Sequence, residues 1–159
     1  MATHRVLFVC LGNICRSPLA EGLFLHHARR EGVDHRFEID SAGTGGWHSG
    51  ERADPRMRAT AARHGVELTS RARQVVPRDF THFDSIVAMD DSNVEHLVAA
   101  GAPRARVRLL LEADPAAEVR EVPDPYYGGV DGFEQVYRLV DSACQKLLAE
   151  LVARSNDAR

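Results

Sequence analysis

Cysteine is scarce in this sequence of 159 residues: there are three, at positions 10, 15 and 144. So few cannot build the disulfide framework of a small extracellular domain, which leaves each thiol a candidate for reactivity. Long hydrophobic runs are missing, and no stretch approaches the ~18 apolar residues of a membrane span. The opening MATHRVLFVC has neither the charged lead nor the cleavage site of a secretory signal, so a reducing cytoplasm is the expected compartment. Lysine is almost absent, with Lys146 alone among 20 cationic Lys and Arg residues. A net charge of −3 gives no global pull toward nucleic acid or membrane surfaces. Any bound anion must therefore be held by a local site. The eight histidines form no H-x3-H pattern and the cysteines no C-x2-C pattern, so no metal or other cofactor is expected.

Hydrophobic residues at 44% and charged residues at 27% suit one globular domain spanning 1–159 with a sizeable core. Apolar runs alternate with helical patterns. Strands are predicted at Arg5–Cys10, Arg36–Gly43, Phe83–Asp90 and Arg106–Leu111. Helices are predicted at Leu19–Gly32, Pro55–Gly65, about Ser92–Ala100 and Gly132 to about Arg154, several of them closed by glycine. The last carries Phe133, Val136, Tyr137, Val140, Cys144, Leu147, Leu148 and Leu151 as one apolar stripe, which places Cys144 in the core. Such alternation predicts an α/β fold, a parallel sheet with helices on both faces. Ligands of such sheets bind at the carboxyl ends of the strands, and the first strand ends at Cys10.

The turn that follows reads CLGNICRSP, with Cys10 and Arg16 enclosing five residues. Backbone N–H groups from Leu11 to Arg16, through Leu11, Gly12, Asn13, Ile14 and Cys15, can form a nest for an anion. Gly12 and Asn13 are the residues suited to its left-handed positions. Ser17 and Pro18 read as N-cap and first residue of the next helix, whose positive end then faces the same spot. Arg16 adds a planar fork for a tetrahedral oxyanion. The same field, with a hydroxyl from Ser17, favours a thiolate at Cys10, a nucleophile at the floor of a phosphate cradle. Two readings stand for Cys15: a partner that traps oxidised Cys10 as a disulfide, or a small apolar side chain under the loop.

VCLGNICRSPLAE resembles the signature loop of the low-molecular-weight protein tyrosine phosphatases. DSAGT (Asp40–Thr44), Trp47–His48, RARQV (Arg71–Val75), DSIVAMDDSN (Asp84–Asn93) and PDPYYGG (Pro123–Gly129) follow in that family's order. The resemblance implies a four-stranded parallel sheet flanked by helices, a Rossmann-like three-layer sandwich. It also implies metal-free hydrolysis of phosphotyrosine through a phosphocysteine. Cys10 is then the nucleophile, Arg16 the phosphate clamp, Asn13 the loop organiser, Ser17 the thiolate stabiliser and Asp124 the general acid.

Within that resemblance Pro125 limits how Asp124 presents its carboxyl. Trp47, Tyr126 and Tyr127 are expected to wall a slot deep enough for an aryl ester, with Leu11 and Ile14 at its entrance. The family also uses such tyrosines as phosphorylation sites. Ile14 stands where arginine-directed relatives carry threonine, and His48 where animal members often carry asparagine. Asp90 and Asp91 are expected to cap a helix, and Asp40 to brace the loop. Ser70 replaces a histidine of some relatives, which puts any network through that position in doubt but not the chemistry. The partners implied are phosphotyrosine proteins and a cognate kinase, with the chain a monomer capable of weak self-association.

Two rivals share parts of the pattern. Thioredoxin-coupled arsenate reductases have the same loop but need further thiols near the third strand, and Val75–Ala100 contains none. A silent phosphotyrosine-binding module is expected to lose its nucleophile or acid, yet Cys10, Arg16 and Asp124 all stand.

Overall fold

The computed structural model of the chain describes residues 3–126 and 129–157. Strand β1 (His4–Cys10) is buried from Val6 to Cys10 on both faces, as a central parallel strand must be. Its side chains alternate between two cores. Val6, Phe8 and Cys10 face one; Leu7 and Val9 face the other.

Strands β2 (Phe37–Gly43), β3 (Ser85–Ala88) and β4 (Val107–Leu109) complete an all-parallel sheet of order β2-β1-β3-β4. Helices α1 (Arg16–Arg30), α2 (Pro55–Arg63) and α5 (Val130–Asp157) cover one face. The short α3 (Asp79–His82) and α4 (Asp91–Ala99) cover the other, through Phe80 and Leu97. The α5 stripe is buried as its spacing predicts, with Cys144 fully enclosed and its Sγ directed to the Ala20 carbonyl. Each Leu or Phe so buried contributes roughly 1.5–3 kcal/mol.

Because β2 lies on one side of β1 and β3 on the other, the chain reverses direction across the sheet between β1 and β3. A crevice opens at their carboxyl ends, where ligands of such folds bind. Cys10 closes β1 there, and Asp90 lies two residues past β3.

Several details differ from the sequence reading. Helix α1 starts at Arg16 with Cys15 in the N-cap position and no side-chain cap, so Ser17 is not the cap. Its hydroxyl is engaged elsewhere. Only Asn13 of the turn is left-handed, at φ 58°, whereas Gly12 is not. The third and fourth strands are shorter than 83–90 and 106–111 because Asp90 leaves the ladder to cap α4 and Leu110–Ala113 turn into a 3-10 helix. The last helix is longer than predicted at both ends.

Candidate active site

The turn after β1 is held from outside by its carbonyls. Those of Cys10, Leu11, Ile14 and Cys15 accept from the N–H groups of Thr44, Gly45, Asp54 and Leu19. Among the described residues no peptide bond is cis. In a trans peptide plane C=O and N–H point oppositely, so the N–H groups of Leu11, Gly12, Cys15 and Arg16 face the inside of the turn. The result is a concave ring of donors at the start of α1.

Cys10 lies at its floor and is 2% exposed. Asn13 N–H donates to Cys10 Sγ at 3.3 Å, and Ser17 Oγ is 3.0 Å from the same sulfur. Asn13 Nδ2 donates to Ser17 Oγ at 2.7 Å and to Ser41 Oγ at 3.0 Å, while Oδ1 accepts from Arg73 N–H at 3.0 Å. The Arg73 donor fixes which end of the amide is oxygen. Ser17 Oγ therefore accepts from Asn13 and has its own proton to give to the sulfur. Two donors are thus aimed at one sulfur.

The network continues outward. Ser41 Oγ donates to Glu21 Oε1 at 2.5 Å. Burial raises the Glu21 carboxyl above its ordinary range, against the hydrogen bonds from Ser41 and Ser70. Ser70 also acts on that carboxylate, so a serine at this position still takes part in the network. Asp40 touches the loop only indirectly: its Oδ2 accepts from Arg73 Nε and Nη2, and Arg73 N–H holds Asn13.

Arg16, with a side chain 3% exposed, donates from Nη1 to Asp90 Oδ2 at 2.7 Å and to the Val122 carbonyl at 3.0 Å. Its Nη2 lies 3.6 Å from Asp124 Oδ2. Burial opposes the charge, but Cys10, Asp90 and Asp124 outweigh it and raise the guanidinium pKa. Asp90 does cap α4, as expected, through Oδ1 and Asn93 N–H at 2.8 Å. Sequence reading missed that its other oxygen holds Arg16.

Asp124 stands on the segment before α5, with a side chain 40% exposed. Its Oδ1 accepts from Tyr126 N–H at 3.0 Å. The cleft it overlooks has a volume of about 240 Å³ and is lined by Cys10, Leu11, Gly12, Ile14, Cys15, Arg16, Trp47, His48, Asp124 and Tyr126. Trp47 folds over Gly45, where an added Cβ meets Trp47 Cζ3 at 1.9 Å. The His48 ring stands between those of Trp47 and Tyr126, 6.3 Å from each, and its Cδ2 lies 3.1 Å from the place of a Cβ on Gly12. His48 was missed as a site residue, and its signal was its place beside Trp47. Tyr127 lies outside the described residues. Cys15 is buried in the cleft wall, and burial, then Asp54 and Cys10, pushes its thiol pKa up. A larger hollow of about 630 Å³ between α1 and residues 65–70 is lined by no cysteine, whereas the smaller cleft holds Cys10 beside Arg16 and Asp124 and is the candidate site.

The described residues contain no metal-holding cluster. What the cleft brings together is a buried sulfur, a ring of amide donors, a guanidinium and a carboxyl on one rim.

Comparison with known proteins places the chain in one family. The family model described as low molecular weight phosphotyrosine protein phosphatase matches residues 5–157. A low molecular weight protein-tyrosine-phosphatase of Streptomyces coelicolor is 48% identical over 152 residues, covering 92% of this chain and 93% of the relative. The crystal structure of a protein tyrosine phosphatase from Entamoeba histolytica, with Hepes in its active site, superposes with a TM-score of 0.92 at 37% identity, covering 96% of this chain and 99% of the other. That of YfkJ from Bacillus subtilis gives a TM-score of 0.90 at 36% identity, covering 97% and 98%.

Proposed function

The chain belongs to the low molecular weight phosphotyrosine protein phosphatases, and from that premise we propose that it hydrolyses phosphotyrosine in proteins with Cys10 as nucleophile, Arg16 as phosphate clamp and Asp124 as general acid and base. The phosphate oxygens sit in the ring of N–H groups and on the Arg16 fork. The Cys10 thiolate attacks phosphorus from the floor, forming an S–P bond as the P–O bond to the aryl group breaks. Asp124 gives its proton to the departing phenolate oxygen. Water then attacks the phosphocysteine, its proton passes to the Asp124 carboxylate, the S–P bond breaks, and inorganic phosphate leaves the restored thiolate.

One observation carries the reading: the Cys10 sulfur lies beneath the amide ring, 3.0 Å from Ser17 Oγ, with Arg16 and Asp124 together above it. Leu11, Gly12, Ile14 and Cys15 line the cradle, and Trp47 and Tyr126 the walls of a slot suited to a flat ring. Tyr127 is proposed as a further wall. The substrates are phosphotyrosine proteins, and a tyrosine kinase that makes them is the functional opposite. All three cysteines are free, which fits a reducing cytoplasm, and no described helix is long and apolar enough to cross a membrane.

The arsenate-reductase alternative needs relay thiols that Val75–Ala100 lacks, and Cys144 is buried against α1. The silent-binder alternative leaves the retained nucleophile, clamp and acid without a task. The deciding experiment is turnover of p-nitrophenyl phosphate by the reduced protein and by Cys10→Ser. Turnover abolished in the variant, with inorganic phosphate still bound, supports the reading; activity retained in Cys10→Ser overturns it.

A further inference from the structure

Asp124 belongs to no helix or strand, so something else must hold its carboxyl over the cradle. The side of the segment before it is pinned to the β3 end of the crevice. Val122 N–H donates to the Met89 carbonyl, the Val122 carbonyl receives Arg16 Nη1, and Glu121 accepts the Asp91 N–H. The side after it is held differently. Tyr126 N–H donates to the Asp124 carboxylate itself, so the place of Tyr126 sets the place of the acid.

The Arg56 guanidinium carbon lies 5.3 Å from the Tyr126 ring centroid and 4.7 Å from that of Phe133. Phe133 is a core residue, 1% exposed, so the guanidinium bridges a fixed ring and a loop ring. Its own position is fixed by Asp54, which accepts from Arg56 Nε at 3.0 Å, from Nη2 at 2.8 Å and from the Arg56 N–H at 2.8 Å. Asp54 is in turn 7% exposed, is the N-cap of α2, and donates its own N–H to the Ile14 carbonyl of the phosphate cradle at 2.8 Å. The fork geometry is what a lysine cannot reproduce.

A continuous chain thus runs from Ile14 in the cradle through Asp54, Arg56 and Tyr126 to Asp124. On the reading that Asp124 protonates the leaving group, we propose that Arg56 is a positioning residue that holds the acid-bearing segment in register with the phosphate cradle. Arg56 touches neither sulfur nor phosphate; it acts through Tyr126. Its task is the geometry of proton donation, where small displacements are costly.

The test is kcat/KM for a series of aryl phosphates of rising leaving-group basicity, measured for the parent, Arg56→Met, Arg56→Lys and Asp124→Asn, and for Arg56→Met combined with Asp124→Asn. Arg56→Met keeps an apolar stem against Phe133 and loses fork and charge. The expected result is a loss of roughly tenfold or more for the most basic leaving groups and little for p-nitrophenyl phosphate, since a general acid supplies about 10²–10⁴ in rate. Arg56→Lys recovers part of the loss. In the Asp124→Asn background Arg56→Met adds nothing, and inhibition by inorganic phosphate and alkylation of Cys10 are unchanged in the single variant. A uniform loss across leaving groups, or an undiminished effect without Asp124, overturns the proposal. If Asp124→Asn itself does not steepen the leaving-group dependence, it is the acid assignment that fails; if it does and Arg56→Met does not, only the role of Arg56 fails.

Discussion

Arg16 Nη1 and Asp90 Oδ2 meet at 2.7 Å across the point where the sheet reverses, one residue from the turn after β1 and the other from the turn after β3. The second oxygen of the same carboxylate caps α4. One side chain therefore aims the phosphate clamp and starts a helix. Asp90→Asn keeps a good N-cap and removes the charge that faces Arg16. The expected cost is about 2 kcal/mol of stability, below the full penalty of an unpaired buried charge because the Val122 carbonyl remains, together with a lower kcat/KM. Thermal unfolding and steady-state kinetics check both; unchanged values of both contradict the coupling.

Trp47 owes its position to a missing side chain. An added Cβ on Gly45 falls 1.9 Å from the indole, so Gly45→Ala displaces the ring and opens one wall of the slot. Phosphotyrosine turnover is expected to fall about tenfold in kcat/KM while phosphoserine stays poor. Trp47 is the only tryptophan, so its fluorescence reports the displacement directly.

The Asp54–Arg56 pair has a pH signature. Burial raises the Asp54 carboxyl, but the hydrogen bonds and charge of Arg56 win and hold it below its ordinary value. A carboxyl depressed in the folded state stabilises the fold above the unfolded value, about 3.9, and loses that contribution as pH falls through the folded one. The stability gap between the parent and Asp54→Asn should therefore be full at neutral pH and close below about pH 3.9. Melting temperatures across pH 2.5–7 check the sign; a gap that widens on acidification contradicts it.

Cys15 is buried beside the nucleophile with its thiol held protonated. Cys15→Ala should keep turnover under reducing conditions at a cost of about 1 kcal/mol in stability. Turnover lost together with that of Cys10→Ser indicates a direct part in the chemistry instead.

Much of the site could be read in the sequence because its centre is local. Cys10, Asn13, Arg16 and Ser17 lie within one turn, and their chemistry needs only that the turn be concave. The strands and helices followed from apolar periodicity, and the short α3 escaped because four residues carry no period. What escaped at the site is what the fold brings from afar. Asp90 is 74 residues from Arg16, and its double use shows only when β1 and β3 are paired. Glu21 and Arg56 act through contacts that no spacing encodes. Ser17 misled as a cap because a hydroxyl serves whichever partner is nearer, here a sulfur. Gly12 misled as a left-handed residue; its lack of a side chain makes room for His48.

The central claim is a covalent one. Reduced protein mixed with an aryl phosphate and quenched in acid during turnover should carry a phosphoryl group on the sulfur of Cys10, found by mass spectrometry of the peptide containing it. Cys10→Ser, treated alike, should carry none and release no phosphate. Sustained turnover of the parent with Cys10 unmodified in every quenched sample, or hydrolysis that survives Cys10→Ser, contradicts the account.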